Sequence, residues 1–386
     1  MPTPLPQPRE IILHFRSFDA CTGIAPVGAG NINDTYRVDL LRDGQPESWL
    51  LQRLNHRVFK DPEAVMRNIR AAAAHLEQQE DFPLRIPAPV PTLQGDWLHR
   101  DEAGNYWRVF PFYENTYAPE HLPEPAIAYG AARAYGAFLY ALRDFPAEQL
   151  TETIPGFHNT ERRWAMFEDV LKNDPADRAK AATAEIHALM EARPVFSRVH
   201  ELKTSGELPL RATHNDTKAG NVLIDIQTGR AVAVIDWDTI MPGTVLSDFG
   251  DMVRTFAPDC TEDSDGPVQM RMEALEMLCR GFLEKTSGFL TPLERENLPL
   301  GALWIIGEQA LRFLTDYLAG DTYYKTQYPE HNLVRARNQL ALYHAVSENL
   351  ALLTEFFTTE ARRHGDGNFV KKRQDRQDIQ DREKCS

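Results

Sequence analysis

His214-Asn-Asp-Thr-Lys-Ala-Gly-Asn221 runs straight into Val222-Leu-Ile-Asp-Ile-Gln-Thr-Gly-Arg-Ala-Val-Ala-Val-Ile-Asp236, and this stretch decides the fold. Two short apolar runs, 222–226 and 231–235, flank Gln-Thr-Gly-Arg, the pattern of a β-hairpin. A hairpin brings its outer ends together, so Asn221 and Asp236 are expected side by side although they are far apart in sequence. An amide oxygen and a carboxylate then stand next to the loop that carries Asp216 and Lys218. Both are hard oxygen donors of the kind Mg²⁺ accepts.

Phosphoryl transfer to an alcohol needs this set. One Asp accepts the proton of the attacking hydroxyl, while an Asn of the same loop and an Asp beyond the next hairpin hold Mg²⁺ on the phosphates. Asp216, Asn221 and Asp236 fill these places. A bare turn and a strand-ending Asp would explain any one of these residues, but not the whole spacing. A literal Asp-Phe-Gly, 248–250, competes for the metal role. It follows Pro-Gly-Thr-Val-Leu-Ser rather than an apolar strand, so hairpin geometry selects Asp236. Asp248 is expected to open a helix over 249–256 and cap its N–H groups; by analogy with kinase-like folds, such an Asp also braces the catalytic loop.

Composition sets limits. The 386 residues suffice for two lobes, and 42% apolar with 25% charged residues is ordinary for a globular chain. A formal net charge of −14 argues against nucleic acid as a partner and suits a neutral or cationic small substrate. The four cysteines are scattered without zinc spacing. No signal-peptide core or membrane-length apolar run is evident, so the protein reads as cytosolic, without a membrane partner. Nothing in the sequence fixes the oligomeric state.

The expected fold class is α+β: a small antiparallel-sheet lobe over 1–112, a large helical lobe over 113–358 and a disordered tail over 359–386. Near the start, Val27-Gly-Ala-Gly-Asn-Ile-Asn-Asp-Thr-Tyr36 reads as a turn feeding a strand. Gly28 and Gly30 permit close approach of backbone to phosphate, and Asn31 and Asn33 add donors, although the pattern is neither a Rossmann fingerprint nor a P-loop. The next strand, Trp49-Leu-Leu-Gln-Arg-Leu54, offers Gln52 and Arg53 where a kinase places a phosphate-pairing Lys. Only one of the two can point into the cleft. Arg53 has the charge for phosphate and is the favoured choice.

Helices are expected over 61–79, 125–145, 161–171, 176–200, 267–285, 292–318 and 331–357. In the sixth, Glu308, Arg312 and Asp316 recur every four residues on an otherwise apolar helix. They form either an exposed ion-pair ladder or the acceptor wall of a cleft, with Tyr323 and Tyr324 beyond it to stack on a sugar. Between sheet and helices, Val109-Phe-Pro-Phe-Tyr113 lies where a two-lobed kinase crosses between lobes, and Phe110 and Phe112 are placed at the adenine by that analogy.

The assembled chain resembles the aminoglycoside phosphotransferase/choline kinase superfamily, and within it the N-acetylhexosamine 1-kinases. The likeness spans about residues 20–350. It is carried by Gly28–Tyr36, Leu51-Gln-Arg-Leu-Asn55 with Val58-Phe-Lys60, Trp107-Arg-Val-Phe110, His214–Lys218 with Asn221, Ala233–Asp236 with Asp238-Thr239 and Met241-Pro-Gly243, and Asp248-Phe-Gly-Asp251. The resemblance implies a kinase-like two-lobed fold and an ATP- and Mg²⁺-dependent sugar kinase. Asp216 would be the base on an anomeric hydroxyl, Lys218 a catalytic partner, and Asn221 and Asp236 the metal ligands. It also implies Arg312 as a sugar contact; Asp238, Glu308 and Tyr323 are further candidates for the acceptor side, and His214 and Asp248 are expected to be structural. The strand Lys of the general superfamily pattern is missing. The rivals are the same chemistry on choline, an aminoglycoside or another hydroxyl, and a pseudokinase that binds without turnover.

Overall fold

The computed structural model describes residues 8–27, 32–119 and 124–359. Gly28, Gly30, Asn31 and the expected tail beyond residue 359 lie outside them. The first elements are a short helix α1 (Pro8–Ile11) and strands β1 (Ala20–Pro26), β2 (Asp34–Arg42) and β3 (Gln45–Leu54). Helix α2 (Pro62–Leu76) and strands β4 (His99–Arg100) and β5 (Tyr106–Pro111) follow. The five strands form one antiparallel sheet in the order β1-β2-β3-β5-β4. Asp43 and Gly44, both at positive φ, make the two-residue turn between β2 and β3, a conformation whose twist suits a hairpin.

Alternation along these strands creates two distinct faces. Val38 and Leu40 of β2, Trp49 and Leu51 of β3, and Trp107 and Val109 of β5 pack beneath Ile11, Ile12 and Phe15 in one small core. The opposite face of β3 ends on Leu54, which joins Val65, Met66 and Ile69 of α2 in the large core. Asp61 caps α2 by accepting from the Ala64 N–H, with Pro62 in the first turn, as expected of that sequence.

The chain then leaves the sheet. Strand β6 (Thr116–Tyr117) pairs with the hairpin of β8 (Val222–Asp225) and β9 (Ala231–Val234), after helices α3 (Pro125–Ala141), α4 (Thr160–Asn173) and α5 (Thr183–Thr204) and strand β7 (Arg211–Thr213). Strand β10 (Met241–Gly243) pairs with β7. Helices α6 (Val245–Phe256), α7 (Met272–Thr286), α8 (Pro292–Leu318), α9 (His331–Glu348) and α10 (Leu350–Thr359) complete the helical lobe. The long final helix expected from the sequence is two helices, α9 and α10, broken at Asn349.

Helix α8 is the lobe's axle. Thr291 and Glu294 form a reciprocal capping box at its start, and Glu294 also takes both arms of Arg211 at 2.6 and 2.7 Å. It crosses α6 at Gly250 and Gly301, so closely that a Cβ on Gly250 would lie 2.3 Å from the Gly301 carbonyl oxygen. The two-lobed α+β architecture matches the expectation. Among the described residues no helix is long and apolar enough to cross a membrane.

Candidate active site

The loop after β7 is held from behind. Asp248, fully buried on the first turn of α6, accepts the N–H groups of His214 at 3.0 Å and Asn215 at 2.7 Å, while its carbonyl takes the Thr217 hydroxyl at 2.5 Å. The helix begins at Val245, earlier than expected, and Asp248 braces the loop instead of capping its own helix. His214 is also fully buried. One ring nitrogen meets the Ile235 carbonyl at 2.9 Å and the other meets the Asp216 N–H at 3.3 Å, so Nε2 donates and Nδ1 accepts. Asn215 adopts a left-handed φ of 63°, strain its side chain offsets by donating to the Thr213 and Thr239 carbonyls. Together these contacts turn Asp216 outward.

Asp216, Lys218 and Asn221 then form one cluster. Lys218 Nζ lies 2.7 Å from Asp216 Oδ2, and Asn221 Nδ2 donates to the same oxygen at 2.9 Å and to the Asp216 carbonyl at 2.8 Å. Oδ1 of Asp216 has no partner among the described residues. Burial opposes ionisation of Asp216, but the Lys218 charge and hydrogen bond, with His214 and Asn221, hold its carboxyl below the usual range. Burial likewise opposes the Lys218 charge, and Asp216 and Asp236 outweigh it, raising the ammonium above its ordinary value. A Tyr135 hydroxyl on the Lys218 carbonyl ties the cluster to α3.

The hairpin closes as its sequence requires. Val222 faces Val234, and the Ile235 N–H donates to the Asn221 carbonyl at 2.9 Å, which sets Asn221 beside the end of β9. Asp236 follows at φ 62°, open to the cleft, and its carboxylate makes no hydrogen bond or ion pair among the described residues. Enclosure by the surrounding protein, then the charge of Asp238, raises its carboxyl above the ordinary value. With the Asn221 nitrogen turned to Asp216, its amide oxygen is left as an acceptor. An unpartnered carboxylate beside that oxygen fits Mg²⁺. Among the described residues no cluster of three His, Cys, Asp or Glu encloses a metal. That suits an ion which is bound by one or two protein groups and completes its shell with substrate phosphates and water.

On the nucleotide side, strand alternation decides between the two β3 candidates. Arg53 shares the face of Trp49 and Leu51 and pairs with Asp34 at the sheet rim. Gln52 lies on the α2 face, where its oxygen receives Arg108 Nε at 3.1 Å and Nη2 at 2.9 Å from the facing strand. The preference for Arg53 is therefore corrected, since its guanidinium serves Asp34 on the other face. Phe110 stacks under Arg108 at 5.0 Å and Phe112 under Arg37 at 4.5 Å, and the Phe112 N–H is taken by the Ser48 carbonyl. Asn33 bonds to Asp238 at 2.9 Å.

The acceptor side needs two corrections. Asp238, 3% exposed, is held by Arg108 and Asn33 and does not face an acceptor. Glu308, 2% exposed, lies beneath the cleft wall, bonded to His158 Nδ1 at 2.8 Å, to Thr160, and 3.5 Å from Arg163. Burial opposes its charge, but His158, Arg163 and Thr160 together pull its carboxyl down to about 2. Asp316 is buried as well, accepting from the backbone N–H groups of Thr322, Tyr323 and Tyr324 at 2.8–2.9 Å and from Asn332. It fixes the segment that presents the two tyrosines.

Arg312 behaves differently from its neighbours on α8. It bonds only to Gln309 among the described side chains, at 2.9 Å, and its guanidinium sits 5.5 Å from the Tyr324 ring and 5.8 Å from Phe157. Tyr323 stands edge-on to Tyr324 and is 66% exposed. Arg254, paired with Asp251 and Glu262, is a further cation near Arg312 and Asp216. The sequence reading missed Arg108, Phe157, Arg163 and Arg254. For Arg108 a signal existed, because antiparallel pairing places it directly across from Gln52.

A model of the phosphotransferase enzyme family matches residues 23–284. Among curated proteins, an uncharacterized kinase-like protein of Caenorhabditis elegans is 28% identical over 184 residues, 41% of this chain and 49% of its own length. The chain thus spans about half the length of that relative. Among solved structures, an aminoglycoside phosphotransferase from Alicyclobacillus acidocaldarius superposes with a TM-score of 0.57 at 14% identity, over 93% of this chain and 97% of its own. A microcompartment-associated aminopropanol kinase gives 0.57 at 16%, over 92% and 98%, and a choline kinase from Cryptosporidium parvum gives 0.54 at 13%, over 88% and 93%. At such identities the likeness speaks for the fold alone.

Proposed function

This chain belongs to the phosphotransferase enzyme family, and from that premise we propose that it is an Mg²⁺-ATP-dependent kinase acting on the anomeric hydroxyl of an N-acetylhexosamine or related sugar. The observation that carries the reading is the state of Asp216. Its Oδ2 is fixed by Lys218 and Asn221, while Oδ1 is left open toward the cleft. A carboxylate held this way can orient an incoming hydroxyl and take its proton without moving. Its pKa is low for a base, which suits a loose transition state in which the proton leaves late and positioning dominates.

Lys218, raised in pKa and so always charged, steadies Asp216 and offsets negative charge developing on the transferred group. Mg²⁺, when bound by Asn221 and Asp236, would neutralise phosphate oxygens and fix their orientation. The brace of Asp248 on the loop keeps Asp216 in register with these groups. On the acceptor side, Arg312 between Tyr324 and Phe157 offers hydrogen-bond donors and aromatic surface, a combination suited to a sugar ring with polar substituents. The same Arg312, with no carboxylate partner among the described residues, disfavours the alternative of a cationic acceptor such as choline or an aminoglycoside. That rival keeps some support from the net charge of −14.

The test is ADP release with Mg-ATP across N-acetylglucosamine, N-acetylgalactosamine, glucose, galactose, choline and kanamycin. Turnover on the N-acetylated sugars, with phosphate on the anomeric oxygen by NMR, is the expected result. Turnover confined to choline or kanamycin would overturn the sugar assignment and leave the chemistry. Binding of Mg-ADP with no turnover on any acceptor would favour a binding protein, the reading that Gln52 in place of a strand Lys supports.

A further inference from the structure

Asp238 lies two positions beyond Asp236, and its side chain is where three separate parts of the chain meet. From β5, Arg108 donates to Oδ2 at 2.8 Å and places its second arm 2.5 Å from Oδ1, with both side chains almost wholly buried. From the segment before β2, Asn33 donates to Oδ2 at 2.9 Å, and its own oxygen accepts the Asn55 N–H at 3.0 Å. The Asp238 carbonyl meanwhile receives the Thr153 hydroxyl at 2.8 Å. The Arg108 guanidinium donates to Gln52, Asp238 and the Met66 sulfur and is 1% exposed, so it is turned inward and not toward a phosphate in the cleft.

The strand position that would hold a phosphate-pairing cation is thus occupied by Gln52, acting as an acceptor for Arg108. The nearest cation is turned inward, onto the turn that bears the metal-binding Asp236. We propose that Asp238 is a positioning residue: paired with Arg108 it fixes the metal-binding turn to β5, and through Asn33 it anchors the nucleotide-facing segment, so one carboxylate aligns both halves of the nucleotide site. The proposal rests on the kinase reading above. Its physical basis is geometric. The Arg108 hydrogen bond to Oδ2, with the ion pair that draws Oδ1 close, sets the orientation of the carboxylate, and only in that orientation does Oδ2 meet the Asn33 amide. Buried ion pairs of this kind add little net stability over apolar residues of similar volume, so their value lies in fixing one arrangement.

The experiment is calorimetric titration of Mg-ADP into the wild-type chain, Asn33→Ala, the double variant Arg108→Met with Asp238→Leu, and the triple variant, with a thermal melt of each. Asn33→Ala, at a partly exposed site, should melt like the wild type yet bind Mg-ADP about tenfold more weakly, or ~1.4 kcal/mol. The double variant should bind at least as weakly. Adding Asn33→Ala to it should cost clearly less than it does in the wild type, because Asn33 has already lost its acceptor and keeps only the Asn55 N–H. Wild-type affinity in Asn33→Ala, or additive losses in the triple variant, would overturn the positioning role while leaving the kinase reading intact. If the double variant does not fold, Asn33→Ala is compared with Asn33→Asp, which keeps the acceptor for Asn55 but cannot donate to Asp238: weak binding by both supports the positioning role, and wild-type affinity in Asn33→Asp overturns it. Absence of Mg-ADP binding by the wild type would remove both.

Discussion

The loop after β7 together with the hairpin that follows it, and helix α8, each contribute a pair of carboxylates, and the two pairs have opposite surroundings. Glu308 and Asp316 are buried, with partners on both oxygens supplied by His158, Thr160, Asn332 and three backbone N–H groups. Asp216 and Asp236 lie at the cleft, and each keeps at least one oxygen free of protein partners among the described residues. A carboxylate whose lone pairs are all engaged is committed to structure, whereas one with free oxygens in an enclosed, partly wet site is available for a proton or a cation. Arg312 repeats the contrast on α8 itself, as a charged side chain of that face that reaches aromatic surface and has no carboxylate partner among the described residues.

This contrast can be broken by substitution. The largest effect is expected at Asp236→Ala, which should lower turnover by roughly a thousandfold or more. Its melting temperature should stay level or rise, since a carboxylate crowded by Asp238 is removed. A matching fall in melting temperature would make Asp236 structural instead. Next is Glu308→Ala, which leaves His158 and Arg163 without their anion in the interior. A loss of about 3–5 kcal/mol in denaturant melts is expected, with kcat of the remaining folded enzyme little changed.

Asp316→Asn should cost less, about 1–3 kcal/mol, because one oxygen of the amide can still accept. It should raise the acceptor KM while sparing the ATP KM, through the displaced Tyr324, and equal changes in both would refute that link. The smallest effect concerns acid. Glu308 titrates at about 2 in the fold, below its unfolded value of about 4.3. Its stabilisation is therefore complete above pH ~4.3 and is lost as pH falls toward 2. Glu308→Gln should flatten the acid slope of the melting temperature in that window, and an unchanged slope would place the acid sensitivity elsewhere.

The same contrast explains what could be read from the sequence. The hairpin that joins Asn221 to Asp236 is local, so two short apolar runs and a Gly-containing turn were enough to predict it. Asp236 could also be told from Asp248, because one follows a strand and the other sits on a helix. The partners of Asp238 and Glu308 are not local. Arg108 lies 130 residues from Asp238 and His158 lies 150 from Glu308, and no periodicity on one element reveals a partner on another. Between Gln52 and Arg53 the information was present as strand parity: Trp49 and Leu51 are buried in the small core, so Arg53 shares their face and Gln52 faces α2. Weighing charge above parity gave the wrong residue.

The most direct test of the account is ADP release, with Mg-ATP and an N-acetylhexosamine, from the wild-type chain and Asp216→Asn side by side, each with its thermal melt. The prediction is turnover in the wild type, a loss on the order of a thousandfold in the variant, and closely similar melting temperatures. Near-wild-type turnover in Asp216→Asn would contradict the role of the open carboxylate, and with it the proposed mechanism.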